Sequence, residues 1–326
     1  MNNSRMKTIA SAAALLIIAT VPLYAQKYMV HILILAGIYI VMSIGLSLVS
    51  GFTGQLSLGQ AAFYAVGAYV SGLLAVNTGM SFWFALIVGT AAAGVTGIML
   101  GLPTLRLSGV YLTVATVGFG EIVRLVLMNW TPVTRGAQGV REIPPPSLFG
   151  FMIDTPAKYF YLVMAAVVLS LFVASRIVNS RTGRAFVSVA DKEVAAQSVG
   201  INPTYYKTLA FVLSACFAGA AGSLYAHYIG YIHPDAFTQA ESIMAVTIMV
   251  VGGVRSFLGI AASAVILVTA MEYLRAFSEF RLIMYAVMLV LSLIFIPNGL
   301  GGFVNGYIDR KKKRKADAVR QEGGAS

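Results

Sequence analysis

Apolar residues run through the 326-residue chain in long blocks separated by short polar breaks. A window of about 19 residues finds roughly ten such blocks, near 8–25, 28–50, 56–77, 82–101, 108–129, 158–178, 208–229, 240–254, 256–274 and 282–303. The block at 240–254 falls short of the about 20 residues that carry a helix across a bilayer. It predicts a re-entrant or broken helix, with Gly252-Gly253 where it breaks. The expected fold class is all-α, a polytopic membrane protein with about ten transmembrane segments.

Composition supports that class: 58% of residues are hydrophobic and 11% charged, against about 25% charged in a soluble domain. With the N-terminus inside, 16 Lys/Arg fall on inner segments, 6 on outer ones and Arg124 within a span. The positive-inside rule therefore favours cytoplasmic N- and C-termini. The first block also has the outline of a signal peptide, with Arg5 and Lys7 before an apolar run ending at Leu23-Tyr24-Ala25. A retained first helix is the preferred expectation. The division expected is a transmembrane domain over 1–308 and a basic, disordered cytoplasmic tail over 309–326. Within the domain lie a cytoplasmic loop, 179–207, and an extracytoplasmic loop, 130–157, rich in Gly and Pro and expected to form an irregular cap. The net charge of +11 does not indicate nucleic acid, because the run from Arg310 to Lys315 directly follows an apolar block. Such clusters set topology or contact anionic membrane lipid. The single cysteine, Cys216, excludes an intrachain disulfide and a CxxC metal site.

Chemistry-bearing motifs are sparse. The chain has no GxxxxGK[ST] phosphate loop, no HExxH and no GxSxG, so neither nucleotide hydrolysis nor an intramembrane hydrolase is expected of it. Ionisable residues inside the blocks are Glu121, Arg124, Glu272 and Glu241 at an edge. Charge in a bilayer is expensive and usually functional, although Glu121 and Arg124, three apart on one helix, can simply pair. The stretch SGFTGQLSLGQ places Gly54, Gln55, Ser57, Gly59 and Gln60 together, and Tyr111, Thr113, Thr116 and Glu121 follow in the same style on another block. Two readings stand: close helix packing through small residues, or a weakly polar lining for a neutral polar solute, with broken backbone near Gly51 to Gly54. Leu58-Gly59-Gln60-Ala61-Ala62 echoes Leu258-Gly259-Ile260-Ala261-Ala262 and hints at a duplicated half.

The inner loop holds ADKEVAAQSVGINP. Asp191 is placed to cap a two-turn helix from Lys192 to Val199, with Gly200 as its stop. Ala190, Val194 and Ala195 lie toward one side of it, and Lys192, Glu193 and Gln197 elsewhere. A helix this short needs a surface to dock on.

Ala195-Ala196-Xaa-Xaa-Xaa-Gly200 resembles the EAA---G signature in the cytoplasmic loop of bacterial ABC importer permeases. Val194 stands at the signature's Glu position, and its downstream Ile-Xaa-Leu-Pro is absent. Residues 50–69, 105–124 and 179–202 and the ending FIPNGLGGF (295–303) resemble, in order and spacing, the LivM-type permeases of branched-chain amino acid importers. The resemblance implies a multi-pass permease subunit of the bacterial inner membrane that passes neutral aliphatic amino acids and is not itself an enzyme. It implies three kinds of partner: a LivH-type permease, two cytoplasmic ATPase subunits that bind the ATP, and a periplasmic or lipid-anchored amino-acid-binding protein. No cofactor is expected in this chain. The family's ATPase-coupling role maps onto Asp191, Lys192, Glu193, Ala195, Ala196 and Gly200. The rivals are a urea or short-chain amide ABC permease, and a self-sufficient ion-coupled carrier or channel.

Overall fold

Helix α1 (Lys27–Ser47) is apolar on every side and almost entirely buried, the pattern of a central helix. The computed structural model describes residues 26–104, 107, 109–148, 151–273 and 287. The first apolar block, the tenth apart from residue 287, the ending 295–303 and the basic tail lie outside the described residues. A π-helical turn, Leu48–Phe52, closes α1. Long helices follow at α2 (Gln60–Thr78), α3 (Phe82–Thr104) and α4 (Val110–Asn129). After the short α5 (Thr131–Thr134) and a hairpin of β1 (Ser147–Leu148) with β2 (Phe151–Met152) comes α6 (Pro156–Val178). The loop 179–207 forms α7 (Arg181–Asp191) and α8 (Glu193–Ser198), and the chain then continues as α9 (Pro203–Ile229), α10 (Gln239–Gly252) and α11 (Phe257–Tyr273). Six of these helices are long and apolar enough to cross a membrane, among the described residues. The chain is a polytopic, mostly helical membrane protein.

The bundle has two ends. One carries the cap of residues 130–155, and the other carries α7 and α8. Helix α9 runs between them through the middle, packed on α1, α2 and α3. Its sequence supplies Ala210, Ser214, Ala218, Gly219, Gly222 and Ser223, all buried, so neighbouring backbones approach closely. A Cβ on Gly67 of α2 would lie 2.1 Å from the Gly219 carbonyl oxygen, and one on Gly222 would lie 1.9 Å from that of Tyr64. Gly89 of α3 meets the same level, where a Cβ would lie 2.8 Å from the Gly67 carbonyl oxygen.

Two connections turn back into the bundle instead of closing at its ends. After α1 ends at the α7–α8 end, residues 53–59 re-enter and α2 begins beside Thr116. After α9 ends under the cap, residues 230–238 re-enter from the opposite side. Helix α10 then begins at the level of Gly120, the middle of α4, and runs back 14 residues to the α7–α8 end. The expected short block is thus a half-length helix ending at Gly252-Gly253. The segment 230–239 penetrates the bundle, where Phe237 buries its ring against Tyr64, Tyr69 and Tyr225. The two re-entrant pairs, α1–α2 and α9–α10, run in opposite senses, the arrangement of inverted repeats in transporter folds. The echo between residues 58–62 and 258–262 does not mark this relation. Gly59 sits at a buried break, whereas Leu258 is exposed in the first turn of α11.

Gly222→Leu should destabilise the protein by at least about 3 kcal/mol through overpacking, read as loss of the monodisperse species and a lowered Tm in detergent. Gly118→Ala, where a Cβ meets nothing within 4 Å, should leave Tm unchanged or raise it.

Candidate functional site

The broken backbone between α1 and α2 is held by side chains, because its carbonyl and N–H groups cannot turn to water inside a bilayer. Thr53 Oγ1 donates to the Val49 carbonyl at 2.6 Å and Ser50 Oγ to that of Gln55 at 3.0 Å. Arg255 Nε–H donates to the Gly51 carbonyl at 2.8 Å. The Leu58 N–H donates to Thr116 Oγ1 at 2.9 Å, and Gln239 Nε2 donates to the Leu58 carbonyl at 3.1 Å. The Ala61 N–H, in the first turn of α2, donates to Ser242 Oγ of α10 at 2.9 Å. Gln60 Nε2 reaches Ser214 Oγ of α9 at 2.5 Å. The starts of both half-buried helices therefore meet at one polar junction.

The residues singled out in the sequence divide accordingly. Gln55, Ser57, Gly59, Gln60 and Thr116 are buried inside this chain, at or beside that junction. Thr113 is half-buried and its hydroxyl lies 3.3 Å from the Leu56 carbonyl. Gly54 is exposed beside Ala190 of α7, while Tyr111 (76% exposed) and Glu121 look out from α4. Glu121 and Arg124 pair as the spacing suggested, at 2.5 Å. Asp235 joins them at 2.9 Å from Arg124, a partner 111 residues away that no local pattern announces. Gln239, Ser242 and Arg255 were likewise missed; the polar residues bordering a short apolar block were the available signal.

A second polar recess, of about 210 Å³, lies between α1, α9, α10 and α11, lined by Tyr39, Tyr64, Tyr225, Glu241 and Glu272 among others. The Tyr39 hydroxyl donates to Glu241, and that of Tyr28 donates to Glu272 at 2.9 Å. At the foot of the cap, the hydrogen bond from Lys158 holds the exposed Asp154 carboxyl below its usual range. No group of three His, Cys, Asp or Glu is placed to hold a metal ion, among the described residues.

At the opposite end, Ala185, Phe186 and Val189 anchor α7 by burial. Asp191 does not cap the next helix: it is the last residue of α7, whose apolar face carries the helix through Val189. Lys192 breaks it with extended backbone (φ −153°, ψ 103°) and stands at the N-cap of α8 with no side-chain cap bond. Gly200 does stop α8. It adopts φ +82°, and its N–H bonds the Gln197 carbonyl while that of Ile201 bonds Ala196, both at 3.0 Å, the Schellman pattern. Glu193 Oε2 accepts from Lys207 Nζ at 2.7 Å, fastening α8 to α9. Ala196 is the one buried residue of α8. Ala195 is exposed, and Val194 (80%) and Val199 (74%) face outward, so the apolar side of this short helix is turned away from its own chain.

Residues 28–295 match the family described as branched-chain amino acid transport system / permease component. The chain belongs to that family. This permease is 40% identical over 311 residues to the high-affinity branched-chain amino acid transport system permease protein LivM of Salmonella typhimurium, covering 88% of this chain and 73% of the relative. It is 38% identical to LivM of Escherichia coli, over 92% and 76% of the two chains. It is also 26% identical to the permease protein LivH of Escherichia coli, over 86% and 96%. No solved structure matches it significantly.

Glu193→Ala should free α8 from α9. Amide hydrogen exchange over 193–201 should quicken by up to about fivefold, the range of a partly exposed ion pair, measured by mass spectrometry.

Proposed function

We propose that this permease is one membrane subunit of a bacterial inner-membrane ABC importer for branched-chain amino acids. The observation that carries the reading is the family membership, supported by close identity to LivM proteins along most of both chains. A LivH-type permease completes the membrane pair. Two cytoplasmic ATPase subunits bind the ATP, and an amino-acid-binding protein delivers the substrate from outside.

The outward side of α8, with Val194 and Val199, docks into an ATPase subunit. Asp191, Lys192 and Glu193 border that contact, Ala195 and Ala196 allow close approach, and Gly200 fixes the exit of the chain. Both termini lie in the cytoplasm, about ten segments span the membrane, and the α7–α8 end is the cytoplasmic one. The open face of α4, with Tyr111 and Glu121, borders the translocation pathway, and Gly54 opens at its cytoplasmic mouth. Gln55, Ser57, Gly59, Gln60, Thr113 and Thr116 act behind it, holding the broken helix that moves when the ATPases close.

Reconstituted with all its partners, the protein should take up leucine in proportion to ATP hydrolysed, whereas alone in liposomes it should transport nothing. Uptake by the lone chain driven by a proton or sodium gradient would overturn the reading. Val194→Asp together with Val199→Asp should cut uptake by at least about tenfold, since burying two unpaired carboxylates opposes docking, while membrane insertion stays normal. Unchanged uptake and co-purification of the ATPases would remove the docking role.

A further inference from the structure

The open face of α4 carries charges that do not suit lipid. The side chains of Glu121 and Asp235 are 50% and 58% exposed, and Arg124 between them is 21% exposed. Ionised groups within a span face a protein neighbour or a water-filled cavity, not acyl chains. Arg124 meets Glu121 side-on, with Nε 3.1 Å from both carboxylate oxygens and Nη2 2.5 Å from Oε1. Nη1 donates to Asp235 Oδ1 at 2.9 Å. Of the five donors of a guanidinium, these contacts leave one N–H on each terminal nitrogen. Asp235 is braced from behind: its own N–H donates to His233 Nδ1 at 3.1 Å, and His233 Nε2 lies 2.8 Å from the Ala137 carbonyl. His233 Nδ1 also lies 3.5 Å from Asp235 Oδ2.

Apart from the exposed Tyr111, the rest of the face is aliphatic. Val114, Ile122 and Leu125 are exposed on it, and Gly118, one turn below Glu121, leaves a notch in which a Cβ would meet nothing within 4 Å. A cation flanked by two carboxylates, beside an apolar strip, is complementary to a molecule with adjacent anionic and cationic groups on an aliphatic stem.

We propose that Glu121, Arg124 and Asp235 form a station for the zwitterionic head of an aliphatic α-amino acid on its way through the membrane. The substrate carboxylate takes the two remaining N–H groups of Arg124. The ammonium sits against the Glu121 and Asp235 carboxylates, and the side chain lies over Gly118, Val114 and Ile122. The proposal rests on the transport reading above and adds a place where this chain itself meets the cargo.

The test uses the detergent-solubilised complex of both permease chains and the ATPase subunits, with Gly118→Cys in a Cys216→Ala background. The introduced thiol should react with a small water-soluble methanethiosulfonate, and L-leucine should protect it. Leucinamide, which lacks the carboxylate, and 4-methylpentanoate, which lacks the ammonium, should need at least about tenfold higher concentration, the scale of one lost charged hydrogen bond. The neutral variant Glu121→Gln/Arg124→Gln/Asp235→Asn removes all three charges while keeping the shapes of the two acidic side chains, and should shift leucine protection by the same factor. Equal protection by all three solutes, or unchanged protection in the neutral variant, overturns the station. A thiol that never reacts means that the second permease covers this face, which overturns the station and leaves the transport reading standing. Failure of the unmodified complex to take up leucine in liposomes overturns that reading and the station with it.

Discussion

The backbone crossing at Gly67, Gly89 and Gly219 is the constraint from which the arrangement follows. Lipid offers no hydrophobic drive to pull apolar helices together, so packing and interhelical hydrogen bonds must do it. Here α2, α3 and α9 touch without an intervening side-chain layer, and Ser223 Oγ adds a bond to the Gly67 carbonyl at 3.1 Å. Any side chain at Gly67 would drive α2 away from α9. Because α2 is pinned there, its first turn is also fixed, inside the bundle and beside Thr116 and Ser242.

That position creates the second requirement. A helix beginning within the bundle leaves N–H groups and a preceding stretch of irregular chain to be satisfied. The chain answers with polar side chains on two other helices, Thr116 on α4 and Gln239 and Ser242 on α10. The same side chains tie the two re-entrant connections to each other. A shift of α10 therefore bears directly on the start of α2, and α10 leads through Gly253 to Arg255, which holds the Gly51 carbonyl.

The cap provides the counterpart at the other end. Val140 and Ile232 exchange backbone hydrogen bonds at 2.9 and 3.0 Å, which anchors the segment that dives toward Asp235. The charged group on α4 is thus built from one residue pair that is local in sequence and one residue delivered by a re-entrant loop. Its position on an open face, together with the outward-turned valines of α8, concentrates the unusual surface of the chain at two places. Both are surfaces that a lone chain in lipid has no reason to keep.

The apolar blocks alone determined the class and nearly every long helix, because twenty apolar residues in a row have few other stable fates. The stop at Gly200 was also legible, since a left-handed turn favours glycine. So was the pairing of Glu121 with Arg124, which depends only on helical spacing. Local pattern misplaced Asp191, because the apolar face of α7 carried that helix through the expected cap residue. It also left packing and pathway lining unresolved for Gly59, Gln55 and Gln60: small and weakly polar residues suit a tight crossing and a pore equally well. Only tertiary structure decided that these are buried at a break and that Asp235 completes the charge group on α4. The reason is physical: which groups a re-entrant backbone meets depends on helices far away in the chain, and nothing within one turn of sequence encodes that depth.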